Sequence, residues 1–328
     1  MSEETLTEAR IRSLLDDLNS CSQQCGFEAF VVTKNSPKLK RMSLAEKKNT
    51  DGKNFRDILK EMFFNVIRDN FLSQDAIYAD GRLLADNQHK ILIFEQGESF
   101  KPFAFLNDDG QQGVFNEEDL SDAIGLAFRI RKDSSSIWLY QHLWSIMVPN
   151  KKRTSVMSRF LHIENGIEFS EMKDPLLAIA KKVDILVIDD CLVTSNISLL
   201  QKSFGFQDYI YQTATQTIYS IAQTGIVSNT GKLTDYISRG KPKYAKKMMR
   251  IGSSKVLALS KEELIDKINT VPRWQGKFDV DSQNGTIILN TYVQVESLID
   301  LFDERYTRSE VTGTEYDTDV KSIAQPVE

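Results

Sequence analysis

VDILVIDDCLVTS, residues 183–195, places two aliphatic runs on either side of an Asp-Asp pair. The runs are too short for a helix of ordinary length and show no polar alternation. They read as a buried strand pair with a turn near Asp189 and Asp190. A pair of this kind needs a sheet to join and helices to cover it, so the rest of the chain must supply both.

The flanking sequence has both patterns. Thr5 and Glu8 form a capping box for a first helix, with Ile11, Leu14, Leu15 and Leu18 on one face. FEAFVVTK, residues 27–34, reads as a strand. Asn54 is placed to cap a helix whose buried stripe is Phe55, Ile58, Leu59, Met62, Phe63, Val66 and Ile67. From Ala76 to Asn107 the pattern turns to β, broken by Gly, Asn and Asp that suit hairpins. FNEEDLSDAIGLAFRI reads as a helix capped by Asn116, with Leu120, Ile124, Ala127 and Phe128 inward. SIWLYQHLWSIMV reads as a strand.

After the opening stretch, a long helical region is expected from about Gln207 to Val227. Ser260 and Glu263 box a short helix, Asn284 and Gly285 turn a hairpin, and VQVESLIDLFDERY closes the ordered part with a helix. The expected class is α/β of the α+β type: mixed, largely antiparallel sheets flanked by helices. Two subdomains are expected, an N-terminal one over 1–170 with basic loops and a C-terminal one over 171–328.

A chain of 328 residues with 41% hydrophobic and 27% charged residues has enough apolar material for a substantial core. No apolar run reaches the ~20 residues that span a bilayer, and MSEETLTEAR has no signal-peptide pattern, so a cytoplasmic location is expected. Three cysteines, Cys21, Cys25 and Cys191, suit a reducing compartment. Neither they nor His89, His142 and His162 complete a metal-binding spacing.

The net charge is −5, so any contact with a polyanion must use a local patch. Three patches exist. YISRGKPKYAKKMMRIGSSK, residues 236–255, has seven Lys or Arg and no acid. Pro242 suits the first turn of a helix running from about Lys241 to Ile251 and stopped by Gly252. On that helix Lys243, Lys246, Lys247 and Arg250 recur at i, i+3, i+4 and i+7 and share one face, while Tyr244, Met248 and Ile251 face inward. Arg239 and Lys241 precede it. The second patch is Lys151, Lys152 and Arg153. The third lies in the basic stretch 34–60, with Lys38, Lys40 and Arg41. Phosphate groups would relieve the repulsion among such cations. Carboxylates from another segment, or plain solvation, would do the same, and both readings stand.

No P-loop, dinucleotide fingerprint or nucleophile elbow is present. Asp189 and Asp190 follow an apolar strand, as Mg²⁺-holding carboxylates do in nucleases, but the adjoining strand has no Glu-x-Lys. An ordinary turn explains the pair as well. A metal-dependent nuclease and a scaffold gripping acidic proteins remain alternatives to nucleic-acid binding.

KKVDILVIDDCLVTSN followed by SFGFQDYIYQTA, and LIDLFDERYTRSEVTGTEYDTDVK with Ser309, Thr312, Gly313, Tyr316 and Lys321, together resemble the KwaB-like family of the bacterial Kiwa anti-phage defence system. The resemblance covers roughly the last two thirds of the chain. It implies a non-enzymatic, self-associating cytosolic DNA binder without a cofactor. It further implies action at the inner face of the membrane, with a KwaA-like membrane protein, against phage DNA replication and expression.

Overall fold

The structure, a computed structural model, describes residues 3–35, 38–81, 90–95, 100–107, 112–133, 135–144, 158–163, 166–171, 177–239, 242–308 and 315–317. Two compact units form: Met1–Asp80 with Gln88–Leu199, and Gly81–Asn87 with Leu200–Glu328. The division follows the 183–195 strand pair and does not precede it, because that pair is woven into the first unit's sheet.

The first unit begins with α1 (Glu3–Ser20), β1 (Gly26–Thr33), β2 (Leu39–Arg41) and α2 (Phe55–Asn70). Strands β3 (Ile77–Asp80), β4 (Lys90–Glu95), β5 (Gln112–Val114), β6 (Ala123–Lys132) and β7 (Ser135–His142) follow. A separate antiparallel hairpin, β8 (Ser158–Ile163) with β9 (Gly166–Glu171), precedes β10 (Ile185–Ile188) and β11 (Cys191–Thr194). Nine strands make one mixed sheet in the order β3-β4-β11-β10-β7-β6-β1-β2-β5. Only the two edge pairs, β3 with β4 and β2 with β5, are parallel. The opening stretch thus sits inside the sheet: β10 pairs with β7 and β11 with β4. Ile185 to Ile188 are all buried, as the absence of polar alternation requires.

One face of this sheet is covered by α1 and α2. Ile11, Leu15 and Leu18 join Leu59, Phe63 and Ile67 over Phe27, Phe128 and Leu139 in one apolar cluster. Phe63 lies 4.3 Å from Phe128 and 6.2 Å from Phe27, ring centroid to centroid. Asn54 and Asp57 form the capping box that starts α2. Its first turn is looser than the apolar stripe implies: Phe55 and Ile58 are exposed, while Phe64 is buried. At α1 the helix already runs from Glu3, so Thr5 is an interior residue and not a cap.

Two further expectations fail, both for tertiary reasons. The segment after Asn116 makes only a short 3₁₀ turn, Glu117–Ser121, and then becomes β6, a central strand between β1 and β7. Its apolar spacing fits a helix and a doubly covered strand equally, and the slot between two waiting strands decides. Gly125 confirms the tightness of that slot, since a Cβ there would collide with the ring of buried Tyr140. Likewise β3 and β4 run parallel and so do not form a hairpin.

The second unit is mainly helical. After α3 (Ile197–Ser203), at the division, come α4 (Phe206–Thr224), α5 (Gly231–Ser238), α6 (Pro242–Arg250) and α7 (Lys261–Thr270). Then follow β12 (Asp279–Asp281), β13 (Thr286–Ile288), α8 (Tyr292–Phe302), β14 (Tyr306–Arg308) and β15 (Glu315–Asp317). The Ser260–Glu263 box starts α7, and β12–β13 is the hairpin turned at Asn284 and Gly285. Helix α4 offers Ile210, Ala214, Thr217 and Ile221 as a buried stripe, against which α6 packs Ala245, Met248 and Met249. Past Arg250 the chain tightens into a 3₁₀ turn, Ile251–Ser253. Gly252 is required there: a Cβ would lie 2.5 Å from Thr217 Oγ1 on α4.

Candidate nucleic-acid interface

With its apolar stripe turned onto α4, α6 leaves its lysines on the other side. Lys243 is exposed, and Lys246 and Lys247 are half-buried. Tyr244, on the same helix, reaches back toward α5, and its ring lies 4.5 Å from that of buried Tyr236. Tyr236 lies in turn 6.4 Å from Tyr292, the first residue of α8. Thr291 caps that helix through a box with Gln294, which leaves Tyr292 on the first turn and 37% exposed.

Cations border this row of three tyrosines. The exposed Arg239, at the end of α5, lays its guanidinium 4.2 Å from the centre of the Tyr292 ring and 5.8 Å from that of Tyr244. Lys243 Nζ lies 5.1 Å from the Tyr244 ring centre, and Lys232 Nζ 5.7 Å from that of Tyr292. The Tyr236 hydroxyl donates to Glu296 Oε1 at 3.2 Å. Burial, and then the negative charge of Glu296, push the Tyr236 hydroxyl well above the usual phenol range, so it stays a donor. Among the described residues Arg239, Lys243 and Lys247 have no ion-pair partner. Cations beside the partly exposed rings of Tyr244 and Tyr292 suit a chain of phosphates and bases, with buried Tyr236 behind them.

The other expected site residues fare differently. Arg250 turns inward from the cation face: it is 18% exposed and ion-paired with Asp303, which is 15% exposed. It belongs to the packing between α6 and the end of α8. Lys40 pairs with Asp119, both largely covered. Arg41 binds Glu28, a carboxylate shared with Arg129 at 2.6 Å and Arg131 at 3.8 Å. Lys38 is exposed, with its Nζ 5.7 Å from the Phe105 ring centre. Lys38, Lys40 and Arg41 belong to the first unit and Arg239 to Arg250 to the second. Lys151, Lys152, Arg153 and Lys241 lie outside the described residues, as do Ser309, Thr312, Gly313 and Lys321.

Lys232 and Tyr292 were not singled out by sequence reading. The signal for Tyr292 was the Thr291–Gln294 box, which puts the ring at a helix start. Nothing local announced that α8 would bring it under Arg239.

Asp189 is the turn residue of the β10–β11 hairpin, in a left-handed conformation with φ 50°, and Arg10 donates to its carboxylate at 2.5 Å. Asp190 lines a shallow depression with Asp189, Ser136, Trp138 and Val187. Among the described residues, no three His, Cys, Asp or Glu side chains converge as a metal site. Cys21 and Cys25 lie just past α1. Cys25 is buried, with Sγ 3.4 Å from the Cys21 carbonyl oxygen, and burial pushes its thiol up. His142 is half-buried, its ring edge-on to Trp144 at 4.8 Å, and burial holds it below the usual imidazole range.

No curated protein and no solved structure matches the chain. A family model described as Kiwa protein KwaB-like matches residues 120–312, more than half of the 328-residue chain. The match runs from the turn before β6 through the whole tyrosine–cation cluster. The chain therefore belongs to the Kiwa protein KwaB-like family, and with it to the Kiwa anti-phage defence system.

Proposed function

We propose that this component of the Kiwa system is a non-enzymatic DNA binder that holds the phosphate backbone on Arg239, Lys243 and Lys247, with Lys246 beside them. The observation that supports the reading is that Arg239, Lys243 and Lys247 have no ion-pair partner among the described residues. Lysines contact phosphates and carry no base code, so binding is insensitive to sequence. Three phosphate contacts give a slope of log affinity against log salt of about −2.7. Among the described residues no helix is long and apolar enough to cross a membrane. Action at the inner face of the membrane then rests on a KwaA-like membrane partner, and self-association would gather several such surfaces on one DNA.

A mobility shift with plasmid tests this. The chain shifts DNA at low salt, and the variant Lys243→Glu/Lys246→Glu/Lys247→Glu loses most of the shift. Unchanged affinity in that variant would overturn the site. Addition of Mg²⁺ or Mn²⁺ leaves the plasmid intact. Cleavage abolished by Asp189→Ala would replace this reading with a nuclease.

A further inference from the structure

Arg239 is more than a positive charge at the edge of the tyrosine row. Its backbone is held at the end of α5, where its N–H donates to the Tyr236 carbonyl at 3.4 Å. Its guanidinium lies 4.2 Å from the centre of the Tyr292 ring, yet the residue is exposed. An exposed guanidinium this close to an aromatic ring offers its outward side to a base, and unpaired bases are commonly recognised by stacking on Arg and aromatic side chains. Tyr292 below it is fixed in turn by Thr291, whose side chain accepts from Gln294 N–H. Lys232 and Lys243 flank the rings, with Nζ 5.7 Å from the centre of Tyr292 and 5.1 Å from that of Tyr244. They suit phosphates on either side of a base. Bases in a duplex are already stacked on both sides and do not reach such a shelf.

We propose that the Arg239–Tyr292 pair is a stacking shelf for an unpaired base, so that this surface takes single-stranded DNA in preference to duplex. The proposal rests on the DNA-binding reading above and adds which form of DNA is bound. The base lies on the guanidinium as the third layer above Tyr292, and its neighbouring phosphates meet Lys232 and Lys243.

The test separates plane from charge. A twelve-nucleotide deoxythymidine strand carrying one central 2-aminopurine, and a duplex of the same length, are titrated into the full chain. Wild type binds the strand more tightly and quenches the 2-aminopurine. Arg239→Lys keeps the charge and removes the plane. It is expected to weaken strand binding by about 5- to 150-fold, the range for one lost stacking contact, to abolish the quenching, and to weaken duplex binding far less, since the phosphate contact keeps its charge. Tyr292→Leu keeps apolar bulk at the start of α8 and is expected to give the same pattern. Wild-type strand affinity and quenching in Arg239→Lys would overturn the shelf, as would equal weakening of strand and duplex, while DNA binding itself stood. Failure of wild type to bind either form would overturn the shelf together with the reading beneath it.

Discussion

Replacing Arg250 by Met should destabilise the protein and leave its DNA binding nearly intact, although Arg250 lies on the helix that carries the cation face. Arg250 and Asp303 are only 18% and 15% exposed, and their ion pair joins α6 to the residue that ends α8. At hydrogen-bond separation and an effective dielectric of about 20, the attraction is about 5 kcal/mol before desolvation. Removal of one partner from a fully buried pair costs about 3–5 kcal/mol, and the residual exposure lowers this to about 2–4 kcal/mol. At roughly 3 °C per kcal/mol for a chain of this size, the thermal midpoint should fall by about 6–12 °C. Circular dichroism melts of Arg250→Met, Asp303→Asn and the double variant would measure this. The two losses should fail to add by more than about 1 kcal/mol, since each breaks the same pair. In parallel, fluorescence anisotropy at several salt concentrations should give Arg250→Met the wild-type slope, whereas Lys247→Gln loses about 0.9 from it. An unchanged melt combined with a shallower salt slope in Arg250→Met would refute the assignment and return Arg250 to the phosphate-binding face.

Two further outcomes follow from the sheet unit. Gly125→Ala should cost at least about 1–3 kcal/mol, because the new methyl group meets the fully buried ring of Tyr140, which has no space to retreat into; a urea midpoint equal to wild type would show that the β6–β7 contact is looser than described. Tyr78 donates to the Phe71 carbonyl at 2.9 Å, and burial pushes its hydroxyl up to about 12. The unfolded tyrosine ionises near 10, so the stabilisation is fully present below about pH 10 and is lost as pH rises toward 12. Wild type should therefore lose stability relative to Tyr78→Phe across that window in denaturant titrations, and parallel pH curves would contradict it.

Much of the local structure could be read from the sequence because its causes are short-range. The buried strands at 185–188 and 191–194 follow from unbroken aliphatic runs. The boxes at Asn54 and Ser260 follow from side chains reaching backbone three residues away. The outward lysines of α6 follow from Pro242 and a helical period that reserves Met248 and Ile251 for the core. Membership of the KwaB-like family was legible from KKVDILVIDDCLVTSN, SFGFQDYIYQTA and the C-terminal LIDLFDERYTRSEVTGTEYDTDVK.

What the sequence did not contain was which distant segment meets which. The spacing of Leu120, Ile124, Ala127 and Phe128 is compatible with a helix, and only the gap between β1 and β7 makes Ala123–Lys132 a strand. Patches that look alike as strings of Lys and Arg separate once folding brings Asp119 to Lys40, Asp303 to Arg250 and one shared Glu28 to three arginines. The same long-range assembly carries Tyr292 under Arg239. Periodicity and capping act over one or two turns of chain, whereas a charge is neutralised, or a ring and a guanidinium brought together, by whatever the tertiary fold sets within a few ångströms.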